Sequence, residues 1–245
     1  MKYLFFLWIL PFMIIMQTQN TVEFEPTMKK ESSGLHYLVR EQKDTTKSAP
    51  VLILLHGYGS NENDLFSLSS QIPDNWLVLS VRAPIRLGSN QFKWYNVKLV
   101  NEKITMNFED EEKSRQLLLK LIDEISIKYK IDKNKIVTAG FSQGANMALG
   151  LALTEPEKIL AAGCFSGRFM EEIKPLIKDK KALKAKQIFI THGTKDKMLP
   201  LRYAKENQAI LEAFGMEVTL STDNVAHSIS RKQLNEFVKW MKKLF

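Results

Sequence analysis

From Val51 onward, short unbroken apolar runs alternate with longer stretches in which apolar residues recur every three or four positions. Runs such as Val51-Leu52-Ile53-Leu54-Leu55 suit strands buried on both faces of a parallel sheet. Six such strands are predicted, at Val51–Leu55, Leu77–Val81, Lys135–Ala139, Leu160–Phe165, Gln187–Thr191 and Glu217–Ser221. Helical periodicity predicts helices over Glu62–Gln71, Glu111–Lys130, Gly144–Leu153, Arg202–Phe214 and Ser230–Lys243. In the second of these, Leu117, Leu118, Leu121, Ile122 and Ile125 share one face. This alternation demands right-handed crossovers and so an α/β fold, a doubly wound, mostly parallel sheet with helices on both faces. Gly34–Arg40 is expected to add an antiparallel strand in front. Residues 21–245 contain no repeat and no long Gly/Ser- or Pro-rich linker, and they read as a single domain. The longest irregular stretch, Pro84 to Asp110, carries Phe92, Trp94, Tyr95 and Phe108 and a small hairpin at Val97–Val100 and Lys103–Phe108. A loop of that length in a compact domain is expected to act as a lid or pocket wall.

The first twenty residues break the pattern. Lys2 precedes an uncharged run, Tyr3 to Met16, of about fourteen residues, short for a bilayer span but suited to a signal-peptide core. Polar Gln17-Thr18-Gln19-Asn20 follows, without an Ala-x-Ala cleavage site. Residues 1–20 are therefore expected to be a signal peptide or an N-terminal anchor. The domain is then expected to be periplasmic or secreted, and an uncleaved segment would associate it with a membrane; a cytoplasmic protein with a hydrophobic N-terminal strand is the alternative.

Hydrophobic content of 44% and charged content of 25% fall in the soluble globular range. The net charge of +8 raises the question of an anionic partner. Its lysines and arginines are scattered apart from Lys178, Lys180, Lys181, Lys184 and Lys186. No nucleic-acid signature accompanies that run, so it is expected to be solvated surface with no nucleic-acid partner. Cys164 is the only cysteine, which rules out a disulfide within the chain. Its apolar neighbours Ala161, Ala162 and Phe165 suggest a buried structural thiol.

Against this frame, Gly140-Phe141-Ser142-Gln143-Gly144 lies directly between a predicted strand and a predicted helix. A G-x-S-x-G turn in that context bends the serine sharply and exposes its hydroxyl at the sheet edge. The helix that follows points its positive end at developing negative charge. Ser142 is thus a candidate nucleophile, and it needs a base with an orienting carboxylate. Four histidines are available. His36 lies in the expected edge hairpin, while His56 and His192 end apolar strands before glycine and suit structural hydrogen bonds. His227 sits in a late loop between the last strand and last helix and is the candidate base. Asp196, just past the Gln187–Thr191 strand, is the candidate acid, although it would also suit a helix cap. Asp223 competes for that role, but Thr222 and Asn224 beside it read as turn residues. For the oxyanion, the backbone N–H of Gln143 and of Tyr58, in His56-Gly57-Tyr58-Gly59, are the candidate donors. Asn63 and Asp64 read as helix caps.

Taken in order, Leu55-His56-Gly57-Tyr58-Gly59, Arg82-Ala83-Pro84, Trp94-Tyr95, Gly140-Phe141-Ser142-Gln143-Gly144, Ser166-Gly167, His192-Gly193-Thr194-Lys195-Asp196 and His227-Ser228-Ile229 resemble the phospholipase/carboxylesterase family of α/β-hydrolases. The resemblance covers roughly Gly34 to Phe245. It implies an α/β-hydrolase fold and hydrolysis of esters or thioesters, lysophospholipids included, without metal or organic cofactor. It also implies a triad of Ser142, Asp196 and His227, and a place for Trp94 near the acyl pocket. Two departures stand out: Lys197-Met198 where the family has proline after its acid, and Ala226 where it has glycine before its histidine. A small exported carboxylesterase with a small-molecule or lipid-like ester substrate is the resulting expectation. A serine peptidase of the same fold and a hydrolase-fold binding protein without turnover are the alternatives.

Overall fold

The computed structural model describes residues 27–100, 103–177, 179–184 and 186–245. The expected signal or anchor segment, 1–20, lies outside them. In chain order the elements are β1 (Thr27–Lys30), β2 (His36–Arg40), β3 (Ala49–Leu55), α1 (Asn63–Phe66), β4 (Leu77–Val81), β5 (Ile85–Gly88), β6 (Gln91–Lys93), β7 (Val97–Val100) and β8 (Lys103–Met106). They continue with α2 (Phe108–Lys128), β9 (Ile131–Phe141), α3 (Gln143–Thr154), β10 (Ala161–Phe165), β11 (Gln187–Gly193), α4 (Arg202–Ala213), β12 (Glu217–Asp223) and α5 (Arg231–Met241).

Eight strands form one sheet in the order β1-β2-β4-β3-β9-β10-β11-β12. From β4 to β12 every pairing is parallel, and β1 and β2 join antiparallel at one edge. Alternate residues of a strand face opposite sides, and β3 shows the result. Val51, Ile53 and Leu55 pack with Leu118, Leu121 and Ile122 of α2, Met147 of α3 and Leu211 of α4. Leu52 and Leu54 pack instead with Leu65, Leu68 and the Phe237–Trp240 face of α5. Helices therefore cover both faces, as the unbroken apolar strands require.

The helix expected over Glu62–Gln71 is a single turn, α1, followed by a 3₁₀ segment at Ser67–Gln71. Serines compete with helical hydrogen bonding through their own side chains. Asn63 and Asp64 do not cap α1; the Asn61 side chain accepts the Asn63 N–H at 2.9 Å instead. Helix α2 begins earlier than expected, capped by Asn107, whose side chain accepts the Asp110 N–H. A second hairpin, β5–β6, joins the foreseen β7–β8 hairpin in the Pro84–Asp110 stretch. Lys180, Lys181 and Lys184 are exposed. Lys186 is not part of a solvated run: half-buried, it donates to the Pro156 and Ile159 carbonyls.

Candidate active site

The parallel strands end together along one rim, and the site is assembled there. Strand β9 lies between β3 and β10, so Gly140 sits beside both Leu55 and Cys164. A Cβ on Gly140 would stand 2.3 Å from the Gly144 carbonyl oxygen, and one on Gly144 2.1 Å from the Leu55 oxygen. Both positions demand glycine because backbone fills the space a side chain would need. Between them Ser142 has φ of 52°, a conformation that is rare outside glycine, asparagine and aspartate. Its N–H is held by the Phe165 carbonyl at 2.8 Å.

Two loops at the same rim bring in the other groups. The Thr194 N–H donates to the Asp223 carbonyl at 2.8 Å, and the Lys195 N–H to the Val225 carbonyl at 3.0 Å. At Gly193 a Cβ would lie 2.2 Å from the Ala226 carbonyl oxygen, so the loop carrying His227 rests directly on the end of β11. A capping box between Ser230 and Gln233 starts α5, and the Gln233 amide also donates to the His192 carbonyl at 3.1 Å. These contacts place His227 with its Nδ1 2.7 Å from Asp196 Oδ2 and its Nε2 3.0 Å from Ser142 Oγ. A carboxylate only accepts, so Nδ1 carries the proton and Nε2 is left to accept from the serine hydroxyl. The other Asp196 oxygen accepts the Met198 and Leu199 N–H groups at 2.9 and 2.8 Å. Asp223 is spent on the Asn224 N–H and on Ser230.

Ser142 and His227 open onto a cavity of about 330 Å³. Tyr58, Tyr95, Val97, Met198 and Leu199 give it largely apolar walls, with Asn146 and Arg168 among the polar ones. Asn146, one helical turn beyond Ser142, donates to the Tyr95 hydroxyl at 2.7 Å and accepts the Arg168 N–H at 2.8 Å. Burial holds the Tyr95 hydroxyl far above the ordinary tyrosine pKa, so it is neutral. The Gln143 side chain ties the pocket wall to α3, accepting the Trp94 N–H at 2.7 Å and donating to the Tyr95 carbonyl at 2.8 Å. Trp94, expected near the acyl pocket, does not line the cavity. It is fully buried beneath it, with Nε1 donating to the His56 carbonyl at 2.9 Å. Tyr95 and Val97, its neighbours, form that wall. Asn146 was not foreseen as a lining residue, although it lies in the first turn of the helix that starts right after Ser142. Nor were Arg168 and Met198, because only the meeting of loops puts them there. Cys164 is buried, with its pKa raised to about 12 by desolvation.

Residues 37–245 match the family model described as Phospholipase/Carboxylesterase. The chain belongs to that family. This phospholipase/carboxylesterase family member is similar to a Bacillus cereus carboxylesterase of known crystal structure, with 28% identity and a TM-score of 0.73 over 86% of this chain and 95% of that one. It is 25% identical over 217 residues to acyl-protein thioesterase 1 of Emericella nidulans, across 80% of this chain and 90% of that protein. Mouse lysophospholipase-like protein 1 is 25% identical over 151 residues, 60% of this chain and 62% of that protein, so this match spans less than two thirds of the relative. The family member is thus an α/β-hydrolase, a carboxylesterase- and acyl-protein-thioesterase-like hydrolytic enzyme.

Proposed function

We propose that the protein is a serine carboxylesterase acting through an acyl-enzyme. The observation that carries this reading is the two-bond chain from Asp196 through His227 to Ser142, opening on a largely apolar cavity. Ser142 Oγ attacks the ester carbonyl carbon as His227 Nε2 takes its proton. Negative charge gathers on the carbonyl oxygen, where the Tyr58 and Gln143 N–H groups receive it. The first N–H of a helix has no acceptor within the helix, which leaves that of Gln143 to donate outward. His227 then protonates the departing alcohol, and later takes a proton from the water that releases the acid. Asp196 keeps the imidazole in the required tautomer and stabilises its cation.

The substrate fits as a carboxylic ester with an apolar acyl part, lipid-like esters included. A thioester of the same acyl chain is the second reading, favoured by the resemblance to acyl-protein thioesterases. Replacing Ser142 by alanine tests the mechanism. Hydrolysis of p-nitrophenyl butyrate and labelling by a fluorophosphonate should both vanish while the protein stays folded. Retention of wild-type turnover by pure Ser142→Ala protein would refute it.

A further inference from the structure

His56 ends β3, is fully buried and does not join the chain from Asp196 to Ser142. Both its ring nitrogens are engaged. The Ala83 N–H, just past the end of β4, donates to His56 Nε2 at 3.0 Å. An N–H can only donate to a lone pair, so Nε2 is unprotonated and the proton of the neutral ring sits on Nδ1. Nδ1–H in turn donates to the carbonyl oxygen of Gly57 at 2.7 Å. Burial lowers the pKa of His56, outweighing its bond to Gly57 and the carboxylates of Asp64 and Glu62, while Arg82 adds to the lowering. The ring is held neutral in one tautomer.

The captured carbonyl decides where the next N–H points. In a trans peptide, C=O and N–H lie on opposite sides of the chain, and no cis bond occurs among the described residues. With the Gly57 oxygen turned into the protein toward His56, the Tyr58 N–H must face the other way. Gly57 lies against the nucleophile: a Cβ there would stand 3.6 Å from Ser142 Cβ. Tyr58 walls the cavity that holds Ser142. The N–H groups that follow are spent, Gly59 on the Phe92 carbonyl at 2.8 Å and Ser60 on the Gly57 carbonyl at 3.3 Å. That of Tyr58 has no acceptor among the described residues. Glycine at position 57 makes rotation of the Gly57–Tyr58 peptide cheap, and the Ser60 bond to it is long, so the shorter bond from His56 is what holds it firmly.

We infer that His56 is a positioning residue that locks the Gly57–Tyr58 peptide with its N–H preset toward the oxyanion. It touches no substrate atom and acts only through this peptide. The inference deepens the esterase reading and rests on it.

Two substitutions separate the role from mere packing. In His56→Asn the amide nitrogen can stand in for Nδ1 and still donate to Gly57. In His56→Gln the longer side chain can meet the Ala83 N–H but leaves the Gly57 carbonyl with only the long 3.3 Å bond from the Ser60 N–H. With kcat expressed per fluorophosphonate-titrated site, the Gln variant should lose about 10²–10³-fold, the loss typical of one oxyanion donor. Its KM should change little, and its affinity for a trifluoromethyl ketone should fall in parallel with kcat. The Asn variant should recover most of the loss. Wild-type kcat per titrated site in the Gln variant, or an Asn variant no better than Gln, overturns the inference. Should neither variant fold, ¹⁵N NMR of the histidines in the intact protein decides. A neutral His56 protonated on Nδ1 from pH 5.5 to 8 supports it, and a proton on Nε2 overturns it. Failure of the esterase reading would look different: wild type itself would lack Ser142-dependent turnover.

Discussion

Asp196 divides its carboxylate between two duties. One oxygen is fixed by two backbone N–H groups, and the other accepts from His227. In Asp196→Asn the amide can present an N–H where the imidazole also needs to donate. His227 would then turn its lone pair toward residue 196 and its proton toward Ser142, the wrong tautomer for a base. On the proposed mechanism kcat should fall on the order of 10⁴-fold with little change in fold or KM. Steady-state kinetics beside circular dichroism checks it, and a drop of less than tenfold would remove Asp196 from its assigned role. At this scale Ser142 and Asp196 stood out because each follows an apolar strand, and His227 because it is the histidine in the loop between the last strand and the last helix. Trp94 lies close to the pocket without lining it, for a physical reason. An aromatic residue in a loop can cover the pocket or lie under it, and the bonds of its indole to the His56 carbonyl and of its N–H to the Gln143 side chain select the latter.

At the scale of elements, the turn from β9 into α3 is packed backbone against backbone. Ala at position 144 would bring Cβ within 2.1 Å of the Leu55 carbonyl oxygen, and backbone cannot move aside as a flexible side chain can. The expected cost for Gly144→Ala is at the upper end of the about 1–3 kcal/mol that overpacking exacts. That corresponds to a melting temperature lower by roughly 5–10 °C. Activity should fall much further than stability, because the displaced turn carries Ser142. Calorimetry and esterase assay on the same preparation check this, and a fully active Gly144→Ala protein would contradict the close approach. Most of the parallel strands were legible because short unbroken apolar runs suit strands buried on both faces. Strand β1, Thr27–Lys30, was not: it is a largely exposed edge strand whose side chains carry no apolar period. The β5–β6 hairpin was equally silent, since it forms from exposed and half-buried residues.

At the scale of the whole molecule, one buried acid makes stability depend on pH. Glu111 lies in the first turn of α2, 2% exposed, with Oε2 lacking a partner among the described residues. Desolvation raises its pKa to about 7, against Arg115 and with help from Glu112 and Glu172. A carboxyl whose pKa is raised on folding supports the native state while protonated. That support is fully present below the unfolded value near 4.5 and is lost as pH rises through about 7. In Glu111→Gln the titration is absent, so the stability of wild type relative to this variant should fall by roughly 2–3 kcal/mol between pH 4.5 and 8. Urea denaturation at several pH values measures it, and a pH-independent difference would show that Glu111 is solvated or paired.

The strand–helix alternation, the sharp turn at Ser142 and the strand-end positions of Ser142 and Asp196 are legible along the chain. Each of these is written in neighbouring residues, through periodicity, the glycine spacing and strand ends. Folding in three dimensions sets which polar groups face one another across the rim, the place of Trp94 beneath the cavity, and the capture of the carbonyl beside Tyr58 by the His56 ring. Those outcomes depend on segments tens of residues apart approaching within hydrogen-bonding distance, and no local pattern records such an approach.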